Sequence, residues 1–103
     1  MLPLIVKNEL NINNSSTFLA NGLDVEIAGN LINNNISANR GINEGGFRPG
    51  NNTQVTRFNG TGNQLIQGFG TNVTNFANLE IRSNNLSLAE NSALFVNNNL
   101  SIY

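Results

Sequence analysis

Six carboxylates and five cations are the charged side chains from which this 103-residue chain could build a site: Glu9, Asp24, Glu26, Glu44, Glu80 and Glu90, with Lys7, Arg40, Arg48, Arg57 and Arg82. Glycoside or polyuronide chemistry needs two carboxylates, or a carboxylate with Lys or Arg, converging on one face. Only Asp24 and Glu26 are close in sequence. They alternate with Leu23, Val25 and Ile27, so on a strand with those three inward both acids point outward. That arrangement predicts a solvated outer face rather than a catalytic dyad. The chain has no cysteine and no histidine, which removes thiol nucleophiles, Ser-His-Asp triads and the usual structural zinc sites. One aspartate and five glutamates are too few for a calcium-binding array. The expectation is no catalytic residue, no metal and no cofactor.

A second group of polar and aromatic residues lies in the centre. Arg40, Glu44, Phe47 and Arg48 fall in a stretch rich in glycine, from 37 to 52, that interrupts the apolar pattern on either side. Loops carry binding function disproportionately, so these four are the candidate ligand contacts, suited to a small amide-rich and aromatic surface of the kind that meets a glycan. A net charge of −1 with scattered cations offers no stripe for a phosphate backbone, and nucleic acid is not an expected partner. The longest run of large apolar residues is Leu4–Ile5–Val6, so membrane insertion is not expected either.

The elements that would hold these residues are short strands. Leu23-x-Val25-x-Ile27, Leu79-x-Ile81, Leu86-x-Leu88, Leu94-x-Val96 and Leu100-x-Ile102 alternate with period two, and turn formers such as Asn97–Asn98–Asn99 separate them. The apolar positions also recur at a shift of 21. Leu2, Leu4, Val6 and Leu10 map onto Leu23, Val25, Ile27 and Leu31. Downstream, the same shift maps Val55 onto Phe76, Phe58 onto Leu79, Leu65 onto Leu86, Val73 onto Leu94, Leu79 onto Leu100 and Ile81 onto Ile102. Three short strands per repeat predict an all-β fold, a right-handed parallel β-helix or three-faced β-solenoid with coils of about 21 residues and one long loop. The coils would occupy roughly 2–36 and 53–103 and the loop roughly 37–52. A sandwich of short strands is the competing fold.

Arg48–Pro49–Gly50–Asn51 fits a type II turn, and Ile36, Ile42 and Phe47 are expected to anchor the loop inward. The 24 asparagines suit corners, where Asn tolerates left-handed backbone and caps its own chain. Side-chain ladders between coils are the further expectation, through Asn30, Asn51 and Asn72, through Asn63 and Asn84, and through Asn78 and Asn99. The apolar start at Leu2–Val6 predicts uncapped ends and membership of a larger repetitive protein.

Arg57–Phe58–Asn59–Gly60–Thr61–Gly62–Asn63–Gln64–Leu65–Ile66–Gln67–Gly68 resembles the TFNGTGNQTIxG phrase of large cell-surface proteins of the Bacteroidota. Phe76–Ala77–Asn78–Leu79–Glu80–Ile81 and Asn97–Asn98–Asn99–Leu100–Ser101–Ile102 look like their FxNLxI and VxGxLxI coils. Val25–Glu26–Ile27–Ala28–Gly29–Asn30–Leu31–Ile32–Asn33–Asn34 is similar to the VxIxGNLxNN that precedes them. The central insertion departs from the pattern. The resemblance implies an adhesin-like parallel β-solenoid, exported by type IX secretion and displayed outside the cell. Its function would be a non-enzymatic stalk or surface-binding segment, whose partners are neighbouring repeats, surface glycans or another cell-surface protein. Two other readings stay open: a carbohydrate-binding module of a polysaccharide-utilising protein, and a self-assembling fibril-forming segment.

Overall fold

The computed structural model describes residues 2–68 and 73–103. Eleven strands follow one another in these residues: β1 (Leu4–Val6), β2 (Leu10–Ile12), β3 (Phe18–Leu19), β4 (Val25–Ile27), β5 (Leu31–Asn33), β6 (Phe47–Arg48), β7 (Val55–Phe58), β8 (Asn63–Gly68), β9 (Val73–Ile81), β10 (Asn85–Leu88) and β11 (Ala93–Ile102). All pair in parallel. The first face stacks β1, β4, β7, β9 and β11, the second β2, β5, β8 and β10, and the third begins with β3 and β6. Strands β9 and β11 each turn a corner. Val73–Phe76 pairs with Ala93–Val96, the register shifts, and Asn78–Ile81 then pairs with Asn99–Ile102 on the first face. The chain is a parallel β-solenoid of about four turns, as the period-two runs and turn-forming asparagines require. Among the described residues no helix is long and apolar enough to cross a membrane.

Alternation along each strand directs one side chain in two to a narrow interior. Val25, Ile27, Leu31, Phe47, Phe58, Ile66, Phe76 and Leu79 are sealed there. Four phenylalanines form its spine. Phe18 stacks on Phe47 at 5.5 Å, Phe47 tilts against Phe76 at 5.6 Å, and Phe76 meets Phe58 edge-on at 6.3 Å. Such pairs contribute about 0.5–1.5 kcal/mol each beyond their buried area.

The spacing is uniform only in the flanks. On the first face Leu4 lies beside Val25 and Leu79 beside Leu100, both at the expected shift. Val25 lies beside Thr56, however, and Thr56 beside Leu79. Four expected equivalences are therefore displaced: Phe58 lies beside Ile81, Val55 beside Asn78, Leu86 beside Gln64, and Val73 beside Ala93. Corner lengths are also unequal between coils. Ile27 and Leu31 are four residues apart, whereas Phe58 and Ile66, stacked on them, are eight apart.

Asparagines serve the corners in two ways. Asn21 and Asn91 adopt left-handed backbone, at φ 53° and 58°. Asn51 instead accepts the backbone N–H groups of Thr53 and Gln54 at 3.1 and 2.9 Å. Among the described residues four asparagine pairs bond between coils, Asn85 donating to Asn63 at 3.0 Å, Asn98 to Asn78 at 3.1 Å, Asn97 to Asn52 at 2.6 Å and Asn34 to Asn11 at 3.5 Å. The first is one residue removed from the expected Asn63–Asn84 pair; in the second, Asn78 lies in register with Asn99 as expected. Asn30 and Asn51 sit at different corners, between β4 and β5 and between β6 and β7, so they form no ladder; Asn72 lies outside the described residues.

Candidate functional site

Three of the six acids and two of the five cations meet on the outer side of the first face. Register places them there, since Glu26 lies beside Arg57 on the next coil and Arg57 beside Glu80 on the one after. Arg57 Nη1 is 3.3 Å from Asp24 Oδ2 and 3.9 Å from Glu26 Oε2, and its Nε donates to Glu80 Oε1 at 3.0 Å. The same Glu80 oxygen accepts Arg82 Nε at 3.1 Å. Asn59 donates to Glu26 at 3.2 Å, and Asp24 Oδ1 accepts the Val55 N–H at 3.0 Å. Arg82 lies over the Tyr103 ring at 3.8 Å, a cation–π contact. Asp24 and Glu26 do point outward together, but they join a network spanning three coils.

The electrostatics of this network keep its central acid ionised. Partial burial pushes the Glu80 carboxyl up, and hydrogen bonds from Arg82 and Arg57, with their charges, outweigh it and hold the group below the ordinary carboxylate range. For Arg57, burial lowers the affinity for its proton, while the hydrogen bond and charge of Glu80 and the charge of Asp24 raise it more. A general acid working near neutrality needs the opposite displacement. Among the described residues no group of carboxylates is placed to hold a metal ion. Chemically, the arrangement ties coils together.

The central excursion runs from 34 to 46, between β5 and β6. Phe47 and Arg48 fall inside the stretch expected as loop, yet they form β6 and pair with Phe18 and Leu19. The excursion folds back along β9 instead of projecting from the coil. Val73 N–H donates to Ser37 O at 3.1 Å, and the buried Asn75 amide donates to Asn39 O and Glu44 O at 3.0 and 2.9 Å. Ile36 is 69% exposed and anchors nothing inward; Ile42 is half-buried.

The four candidate contact residues are accordingly separated. Phe47 is fully buried in the phenylalanine spine, where no ligand reaches it. Arg48 is half-buried, its Nε donating to Gly45 O at 2.8 Å. Arg40 and Glu44 remain exposed on the excursion. Gly50 has φ +97°, but Pro49 and Gly50 form neither a turn nor a bend, and the chain bends at Asn51 instead of making the expected type II turn.

Buried polar side chains bind the excursion and its neighbours to the coils. Asn33 Nδ2 donates to Thr74 Oγ1 at 3.1 Å, and Gln54 Nε2 reaches Leu23 O, Val55 O and Thr56 Oγ1 at 3.1–3.2 Å. Gln64 Nε2 donates to Ile27 O and Gly29 O, while its Oε1 accepts Gly60 N–H at 2.8 Å. Residue type and alternation gave no signal for Asn33, Gln54 and Gln64. Comparison of the chain with protein-family models, curated proteins and solved structures found no match.

Proposed function

We propose that the chain is a non-enzymatic structural segment of a bacterial cell-surface protein, a rigid solenoid that spaces or presents a surface outside the cell. The observation that carries this reading is the use made of the charged groups. Arg57 gathers Asp24 and Glu26 from the coil on one side of its own and Glu80 from the coil on the other, so the side chains best suited to acid–base chemistry act as ties along the stack. Cross-strand opposite charges stabilise a sheet by about 0.2–1 kcal/mol per pair. The resemblance to Bacteroidota surface repeats supports extracellular display and export by the type IX route, with neighbouring repeats as partners.

Adhesion, where it occurs, falls to the exposed part of the excursion. Arg40 and Glu44 offer opposite charges amid amides, chemistry suited to hydroxyl-rich glycans. A glycan array probed with the full chain and with the Arg40→Ala, Glu44→Ala double variant tests this. Binding lost in the variant supports a surface-binding segment; no binding by either leaves a spacer. Turnover of a polysaccharide that disappears in Asp24→Asn or Glu26→Gln would overturn the non-enzymatic reading.

A further inference from the structure

Two of the asparagines, Asn21 and Asn59, are followed by glycine, and that pairing has a chemistry of its own. The glycine nitrogen gives up its proton and attacks the asparagine Cγ, ammonia leaves with the side-chain nitrogen, and a five-membered succinimide closes. Water then opens the ring at either carbonyl, leaving aspartate or isoaspartate. Glycine hinders the attack least, because it has no Cβ and its backbone turns freely. The reaction needs no partner but water, so conformation controls it: the nitrogen must be free to reach Cγ.

At Asn59 it is not free. Gly60 is buried, and its N–H donates to Gln64 Oε1 at 2.8 Å. Gln64 is 3% exposed, and its Nε2 donates to Ile27 O and Gly29 O of the neighbouring coil. Those carbonyls accept only from the nitrogen of the amide, so they fix which end of the side chain faces Gly60. The asparagine is held from its own side as well. Its backbone N–H donates to Ile27 O at 3.1 Å, and its Nδ2 to Glu26 Oε1 at 3.2 Å. At Asn21 the guard is different: the Gly22 N–H donates to a backbone carbonyl, Pro49 O, at 2.8 Å.

Conversion at Asn59 would also disturb the stack. Aspartate puts an oxygen where Nδ2 now meets Glu26. Isoaspartate adds a carbon to the main chain beside Gly60, which already lies so close to the Ala28 carbonyl that a Cβ would collide with it.

We infer that Asn59–Gly60 is a succinimide-forming modification site held shut by Gln64. The site opens when Gln64 withdraws, so chemical ageing at this corner reports on the contact between two coils. It depends on the corner alone and holds whichever function the outer faces serve.

Peptide mapping by mass spectrometry, with isoaspartate assayed by enzymatic methylation, follows both sites in the full chain at mildly alkaline pH, folded and in urea. Asn59 and Asn21 should each convert at least about tenfold more slowly in the folded chain, and the Gly60 amide hydrogen should exchange slowly. Gln64→Met keeps the length of the side chain but offers Gly60 no amide oxygen. Asn59 should then convert about tenfold faster, the weight of one hydrogen bond, while Asn21 keeps its rate. Asn21 thus separates local opening from unfolding of the whole chain. Asn59 converting as fast folded as in urea, an unprotected Gly60 amide, or an unchanged Asn59 rate in Gln64→Met overturns the inference. So does an equal acceleration at both sites, which would assign the protection to global stability instead of Gln64.

Discussion

Arg57 Nε donates to Glu80 Oε1 at 3.0 Å across one rung of the first face, and both side chains are about three-quarters or more shielded from solvent. Shielding at this level places the pair between an exposed ion pair and a buried one. Arg57→Met would leave Asp24, Glu26 and Glu80 facing one another without their shared cation, at a cost of about 1–2 kcal/mol. Urea denaturation should show a lower midpoint with an unchanged slope. Raising the salt to about 1 M should narrow the gap, because it screens the exposed part of the repulsion. An equal midpoint in both proteins would mean that the network contributes nothing to the stack.

The same contact makes stability depend on pH with a definite sign. Folded Glu80 takes up its proton less readily than the unfolded chain does. As pH falls, the unfolded state therefore protonates first, and stability declines from the ordinary carboxylate value of about 4.3 down through the lower folded value. Above that window the contribution is complete. Glu80→Gln should flatten this acid limb while leaving the neutral-to-alkaline profile parallel to that of the parent, as followed by thermal melts between about pH 2 and 7.

Corner glycines divide into those the stack requires and those it does not. A Cβ on Gly60 would collide with the Ala28 carbonyl of the coil beneath, and one on Gly29 with the Asn8 carbonyl. Nothing lies within 4 Å of a Cβ on Gly62. Gly60→Ala and Gly29→Ala should each destabilise by about 2 kcal/mol or more, and Gly62→Ala should stay within about 0.5 kcal/mol. Equal melting temperatures for Gly60→Ala and Gly62→Ala would contradict the close approach of successive corners.

The flanks of this fold were legible because their corners are equal. Leu4 to Val25 and Ile81 to Ile102 follow one shift, so a fixed-interval comparison finds both. The middle was not, because Thr56 follows Val25 by 31 residues and precedes Leu79 by 23. The same irregularity hid the charged network: Glu26, Arg57 and Glu80 align only once those two intervals are known. Asp24 and Glu26 were readable as an outward pair, since alternation is local. Their partners come from other coils, which local alternation does not report. Phe47 was misplaced for a related reason, as a two-residue strand flanked by glycine and proline carries too little pattern to be told from a loop.

Polar residues inside the solenoid give the sharpest test of how the irregular coils are joined. Gln54 and Thr56 are fully buried. Gln54 Nε2 lies 3.2 Å from Leu23 O, and Thr56 Oγ1 is 3.3 Å from Gln54 Oε1. Gln54→Met keeps the length of the side chain but withdraws the donor from Leu23 O and leaves the Thr56 hydroxyl without its amide partner. A buried polar group deprived of its partner costs about 1–3 kcal/mol. Thr56→Val in the native background should cost a similar amount, because it takes the hydroxyl donor from Gln54 Oε1. The double variant removes both ends of that contact, so its cost should fall short of the sum of the single costs by about 1 kcal/mol, the mark of a directly coupled pair. Full additivity in equilibrium urea unfolding would show that Gln54 and Thr56 act separately, and that Gln54 stabilises the coil junction through Leu23 O and Val55 O alone.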